Sequence, residues 1–408
     1  MTARSVARLA ACALAIWVSG CADGGPAAPT ITRDPIDAPF VSVTAGADYS
    51  CGLTARGTVY CWGSNAVVRP ASGAPDRCGK DTDSFDCFKT PARVEGLPPL
   101  RSLEGDDYHA CGLTGAGEAW CWGFGSSGVL ANGATDSLPY PPGPVVGGVT
   151  WRALGLGPEN TCGIAPDGAA YCWGETRGGA IGDGAAGDNG VDARMPTRVA
   201  SPVPMTAIVS GFQFGCGLAE SGAARCWGDI HSIPLRGRCS FGPCNRVPDP
   251  LPGSLRFRAL TAGERHACGV ASDGSAYCWG SNSVGELGNG ASETAVNPEV
   301  PRRVLSSEPF SVVVAGREMT CGLTADGAAY CWGGNYSGRF GSGPAHSSAV
   351  PVPAASGLRL KWMALGENHT CGIALDGLAY CWGRNDWGGL GNGTEQASHV
   401  PVVVSGQR

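Results

Sequence analysis

Along the chain, short apolar runs that end in Gly recur at Phe40 to Gly46, Phe257 to Gly263, Phe310 to Gly316 and Trp362 to Gly366. Each is followed by Cys-Gly-apolar-x6-aromatic-Cys-Trp-Gly, clearest as CGLTADGAAYCWG at Cys321 to Gly333. The middle of that segment carries turn residues, often Asp-Gly (Asp167-Gly168, Asp273-Gly274, Asp326-Gly327, Asp376-Gly377). Gly suits the positive φ of a tight hairpin, so the segment predicts two antiparallel strands about a turn. A Gly-rich loop follows. Then comes a Pro-x-x-Val-like strand, as at Pro91 to Val94, Pro196 to Val199, Pro301 to Val304 and Pro401 to Val404. The first Cys of the hairpin recurs seven times, at intervals of 60, 51, 54, 52, 53 and 50 residues. Four short strands per unit, seven times over, predict an all-β fold: a seven-bladed β-propeller. A single blade cannot cover both faces of its sheet, so neighbours in the ring must supply the core. Trp62, Trp122, Trp173, Trp227, Trp279, Trp332 and Trp382 are therefore expected to pack blade against blade.

Composition supports this picture. With 65 Gly and 30 Pro in 408 residues, long helices are excluded. With 43% apolar and 16% charged residues, so is a disordered chain. The formal charge of −6 offers no basic field for a phosphate backbone, so nucleic acid is not an expected partner.

The first 20 residues read as a secretory signal. Arg4 and Arg8 precede the uncharged, mostly apolar run Leu9 to Val18, too short to span a bilayer. Val18-Ser19-Gly20-Cys21 resembles the lipobox of bacterial lipoproteins, which implies lipidation at Cys21 and cleavage before it. More than one acyl chain would give a stable anchor. Ala22 after the Cys, rather than Asp, favours the outer membrane or surface by the same analogy. The expected organisation is a signal over 1–20, a lipid-anchored tether over 21–38 and the propeller over 39–408. A plain cleaved signal with an incidental Cys is the alternative.

The most complete unit carries Gly366, His369, Cys371, Gly377, Tyr380, Trp382, Asn385, Gly388, Leu390, Gly391, Gly393 and Thr394. This pattern resembles the regulator of chromosome condensation repeat, and the resemblance covers about Phe40 to Arg408. It implies a seven-bladed ring closed by strands from both chain ends, with Pro401 to Val404 meeting the first unit. Nuclear members of that family exchange guanine nucleotide on a small GTPase. That activity needs a cytosolic or nuclear setting, which an exported acidic chain lacks.

A three-residue loop near residue 56 sets Leu53 opposite Val59 and Cys51 opposite Cys61, within disulfide reach. The same geometry pairs Cys111 with Cys121, Cys162 with Cys172, Cys216 with Cys226, Cys268 with Cys278, Cys321 with Cys331 and Cys371 with Cys381. Of 20 cysteines, Cys12 in the signal and Cys21 leave 18. The four outside the hairpins form two local pairs, Cys78/Cys87 and Cys239/Cys244. Disulfides persist in exported chains; buried reduced thiols are the alternative for a cytosolic one. Zinc needs four convergent ligands, whereas these pairs lie on separate blades, so no metal or other cofactor is expected. His109, His266 and His369 share a phase with Tyr49, Asn160, Phe214 and Met319, and read as satisfied polar residues near the channel.

Units one and four lack the Gly-x-Leu-Gly loop after Trp62 and Trp227. Ala66 to Thr90 and Asp229 to Pro248 stand in its place. Phe85, Phe88, Arg236, Arg238 and Phe241 in these insertions are candidate partner contacts, with Tyr336 and Trp387 from other loops on the same face. Pinned decoration is the competing reading of the insertions. No nucleophile elbow, His-Glu-x-x-His helix or phosphate loop is present. The expected function is an envelope-anchored, monomeric, non-enzymatic scaffold that binds a protein or peptide and touches the membrane through its anchor alone. An enzyme inhibitor resembling a propeller β-lactamase inhibitor, and a lyase or hydrolase acting at the channel mouth, are the alternatives.

Overall fold

The computed structural model describes residues 35–68, 75–79, 84–133, 138–185, 191–229, 245–292, 300–344 and 346–407. Seven antiparallel sheets follow one another along the chain, six of four strands and one of five. Blade six shows the plan: Val312–Ala315 innermost, then Met319–Leu323, Ala329–Gly333 and Ser348–Pro353 at the rim. The first blade adds a fifth, outermost strand, Asp76–Cys78, from its insertion. The propeller prediction stands.

The hairpin register is the one the sequence predicted. Leu53 faces Val59 and Cys51 faces Cys61, with equivalent pairs in the other six blades. Seven hairpin disulfides form, with Cα–Cα distances of 4.0 or 4.1 Å. Cys78 and Cys87 are also bonded, while Cys21, Cys239 and Cys244 lie outside the described residues. The Gly of Cys-Gly-apolar has a steric reason. A Cβ on Gly322 would lie 2.4 Å from the Phe310 ring, which packs flat across the strand.

Each hairpin Trp is at most 1% exposed and sits in the core of the blade before it. Trp332 packs with Leu287 and Val304 of blade five, Trp382 with Phe340 and Ala354 of blade six, and Trp122 with Val67 and Phe88 of blade one. Trp62 closes the circle against Leu390 of blade seven.

Closure departs from the expectation of strands shared between chain ends. Blade seven is built wholly from Leu360–Leu365, His369–Ala374, Ala379–Gly383 and Ser398–Val403. Its own last strand fills the rim position, so the first and last blades meet without sharing a sheet. Val404, fully buried, does meet Phe40 and Val43 of blade one, as predicted. The rim strands are edges, and Pro residues (Pro196, Pro248, Pro351, Pro401) interrupt their free donors. That guards against edge-to-edge pairing with another chain.

Candidate interaction face and channel mouth

In every blade the residue after Cys-Trp-Gly donates its N–H to the loop that joins the first two strands. The pairs are Ser64 to Asp48, Phe124 to Tyr108, Glu175 to Glu159, Asp229 to Gln213, Ser281 to Arg265, Gly334 to Glu318 and Arg384 to Asn368. Two sets of loops therefore share one face: inner loops around the hub, and outer loops that carry Phe85, Tyr336 and Trp387. The Asp-Gly hairpins lie at the other end of the strands.

The outer loops lock neighbouring blades. In Gly-x-Leu-Gly and its variants, the carbonyl of x accepts the next blade's indole N–H. Gly389 accepts from Trp62 (2.8 Å), Val129 from Trp173 (2.7 Å), Ala180 from Trp227 (2.9 Å), Glu286 from Trp332 (2.9 Å) and Arg339 from Trp382 (2.7 Å). The hydroxyls of Ser50, Thr161, Thr320 and Thr370 donate to the same carbonyls. Gly288 shows why the last Gly is needed: its φ is +65°, and a Cβ there would lie 2.8 Å from the Trp332 indole nitrogen.

The three in-phase histidines are fully buried in these junctions. His109 Nε2 bonds Thr161, His266 Nε2 bonds Thr320, and His369 Nε2 bonds Ser50. They are satisfied, as expected, but between blades rather than lining the hub. Burial lowers His109 and His369 to about 4, so both are neutral at physiological pH.

The candidate contacts divide. Phe85 and Trp387, from blades one and seven, stack on each other with ring centroids 3.5 Å apart, both half-buried. Around them the insertion is tied to blade seven by Lys89–Glu395 (2.5 Å) and by the Gly79 N–H on the Glu395 carboxylate (2.9 Å). Tyr336 is 51% exposed and lies under the Arg339 guanidinium. Phe88 is a correction. It is 2% exposed, because its strand, Phe85–Arg93, turns that side chain into the core against Trp122. Arg236, Arg238 and Phe241 lie outside the described residues.

The reading of the sequence missed the hub. Inner strands of all seven blades line a central cavity of about 570 Å³. At the mouth, on the face that carries the outer loops, the inner loops present Asp48, Asp106, Asp107, Glu159, Glu264, Glu318 and Glu367. Arg317 bridges Glu264 (2.9 Å) and Glu367, and Arg265 also pairs with Glu264. Burial, and then repulsion from Asp106, raise Asp107 to about 8. Burial raises Asp106 to about 6 and Glu104, on the cavity wall, to about 7. Perturbed acids in a cavity mark a candidate functional site. No histidine joins them among the described residues, since His109, His266 and His369 are engaged between blades. Aligning the seven units on their cysteines exposes the signal that was available: Asp106 stands where the other six have Gly.

Comparison with known proteins agrees with this architecture. Regulator of chromosome condensation (RCC1) repeats match residues 40–67, 257–286, 310–339 and 363–388, and in a second form 273–323, 326–373 and 376–408. The chain is 28% identical over 339 residues to the ultraviolet-B receptor UVR8 of Arabidopsis thaliana, covering 79% of this chain and 73% of that protein. The structure of human WBSCR16 superposes with a TM-score of 0.72 at 18% identity, over 85% of this chain and 94% of that one. Prp20p from Saccharomyces cerevisiae, described for its binding to Gsp1p and histones, gives 0.69 at 20% identity, over 91% and 87%. These structural likenesses establish the fold. Hairpin, outer loop and interlocking Trp together make the chain a seven-bladed β-propeller that carries regulator of chromosome condensation repeats over the matched residues.

Proposed function

We propose that this protein is an exported, lipid-anchored propeller scaffold that binds a protein or peptide partner through its loop-bearing face. The observation that carries the reading is the combination on that face of half-exposed aromatics (Tyr108 at 49%, Tyr336 at 51%) with a carboxylate-lined cavity, on a ring stapled in every blade. A rigid frame that presents loops from all seven blades favours recognition with little ordering cost. The hairpin disulfides fit an oxidising compartment, and Val18-Ser19-Gly20-Cys21 fits a lipid anchor outside the cytoplasm. A non-catalytic role agrees with the likeness to a receptor and to a propeller described for binding proteins.

Cross-linking at the cell surface followed by capture of the tagged protein should recover a partner, and its loss on substituting Tyr108 and Tyr336 would place contact on this face. Recovery unaffected by those changes would overturn the assignment of the face. Cys21→Ser should release the protein from the membrane fraction; unchanged retention would remove the anchor.

A further inference from the structure

Blade two breaks the repeat at the hub. Two residues before the end of the inner apolar run, the lumen is lined by Thr44, Gly155, Val209, Thr261, Val314 and Ala364 from six blades, and by Glu104 from blade two. At the end of that run, six blades have Gly46, Gly157, Gly211, Gly263, Gly316 and Gly366. Crowding demands it: a Cβ on Gly263 would lie 2.2 Å from the Gly316 carbonyl, and one on Gly366 2.3 Å from that of Gly46. Blade two instead has Asp106, followed by Asp107. One blade thus sets two carboxylates, Glu104 and Asp106, at levels of the hub that the other six keep uncharged, with Asp107 next to them.

The charges are not balanced within the protein. Glu104 lines the lumen, is exposed within it, and has neither a hydrogen bond nor a cation partner among the described residues. One Asp106 oxygen accepts the Asp107 N–H. The cation that acts most on Asp107 among the described residues is Arg317, already committed to Glu264 and Glu367. Lys361, the other lumen cation, stands near the start of the blade-seven strand, away from the mouth. Asp106 and Asp107 repel one another, and a cation entering beside them relieves that repulsion.

We propose that the blade-two side of this cavity receives a Lys or Arg side chain of the partner protein, its cationic head against Glu104, Asp106 and Asp107. The proposal rests on the scaffold reading above and names the chemistry of its partner. A side chain fits better than a metal ion, because among the described residues no three His, Cys, Asp or Glu groups are placed to hold one. The cavity, about 570 Å³, has room for such a chain, and Tyr108, 49% exposed beside Asp107 and edge-on to Phe124, offers a ring to flank its stem.

The test uses purified full-length protein and three probes in fluorescence polarisation or its competition form: labelled Gly-Gly-Lys-Lys-Gly-Gly, the same peptide with Glu for Lys, and free butylamine. The Lys peptide should bind at low salt, weaken as salt rises, and tighten between about pH 6 and pH 8.5 as Glu104 and Asp107 lose their protons. E104Q and D107N should each weaken it about tenfold or more, a difference of one decade in affinity, with an unchanged or higher melting temperature. Absence of binding, equal binding of the Glu peptide or of butylamine, or wild-type affinity in both variants would overturn the proposal. A surface partner captured equally well by E104Q and D107N would overturn it too, while leaving the scaffold reading intact.

Discussion

The junction between blades five and six and the junction between blades one and two bury the same residue in different ways. At the first, Trp332 and Thr320 both donate to the Glu286 carbonyl, and His266 bonds the same threonine. At the second, the loop that would supply the carbonyl is replaced by the insertion. Val67, 2% exposed, packs against Trp122, whose indole N–H has no partner among the described residues. Trp279, after the other atypical blade, likewise has none among the described residues. The neighbouring positions follow suit. Where the carbonyl exists the residue before the first Cys is Ser50, Thr161, Thr320 or Thr370; where it is missing the residue is Ala110 or Ala267. Blade four has Gly215 there, because a Cβ would lie 2.5 Å from the Trp227 ring. A hydroxyl appears only where it can be satisfied. The indole is retained even unsatisfied, since its ring fills the junction.

The largest test of this contrast removes the ring. Trp332→Ala and Trp122→Ala should each cost about 3–5 kcal/mol by the cavity they open. The more informative pair is Trp→Phe. Trp332→Phe loses a made hydrogen bond and Trp122→Phe loses an unmade one, so denaturant melts should separate them by about 1 kcal/mol.

Acid should attack the hydrogen-bonded junctions next. His109 and His369 fall to about 4 in the folded chain, against roughly 6.5 when unfolded. The unfolded state therefore takes up protons first. Stability is complete above about pH 6.5 and drops as pH falls toward 4, by on the order of 1–3 kcal/mol per histidine. The mouth carboxylates have the opposite sign. Asp106, Glu104 and Asp107 are raised to about 6, 7 and 8, so their contribution is present below about pH 4 and is lost as pH rises through those values. Melting temperature against pH should pass through a maximum on the acid side of neutrality. Asp107→Asn should flatten the alkaline limb and leave the acid one unchanged.

A smaller effect sharpens the hydroxyl rule. Thr320→Ala should cost about 1–2 kcal/mol by leaving His266 unpaired, whereas Ala267→Thr should give no gain in melting temperature. Smallest of all, Glu395→Gln at the blade-one clasp should cost about 1 kcal/mol or less, because Lys89 and Glu395 are partly solvated.

Much of this contrast was readable before folding. A spacing of ten between cysteines, with a turn between them, sets Cys51 against Cys61 because strand pairing has period two. The loss of Gly-x-Leu-Gly in units one and four marked the two odd junctions. Phe88 was misread because a polar, Cys-containing insertion looks like a surface loop, while its strand alternation turns that ring inward. The mouth was missed for a different reason. Asp106, Glu264 and Glu367 each look like a solvated turn residue, and they meet only because separate blades bring them to one axis.

Local chemistry written in the chain was thus enough for strands, hairpin register, the partners of the hairpin disulfides and the number of blades. Those features depend on neighbours within about ten residues, or on a period that repeats every fifty or so. How the ring closes, which carbonyl meets each indole, and which carboxylates crowd the hub were decided by the tertiary structure. Each of these joins residues from different blades, up to 339 positions apart for Ser50 and Gly389. Only the curvature of the assembled ring sets such distances.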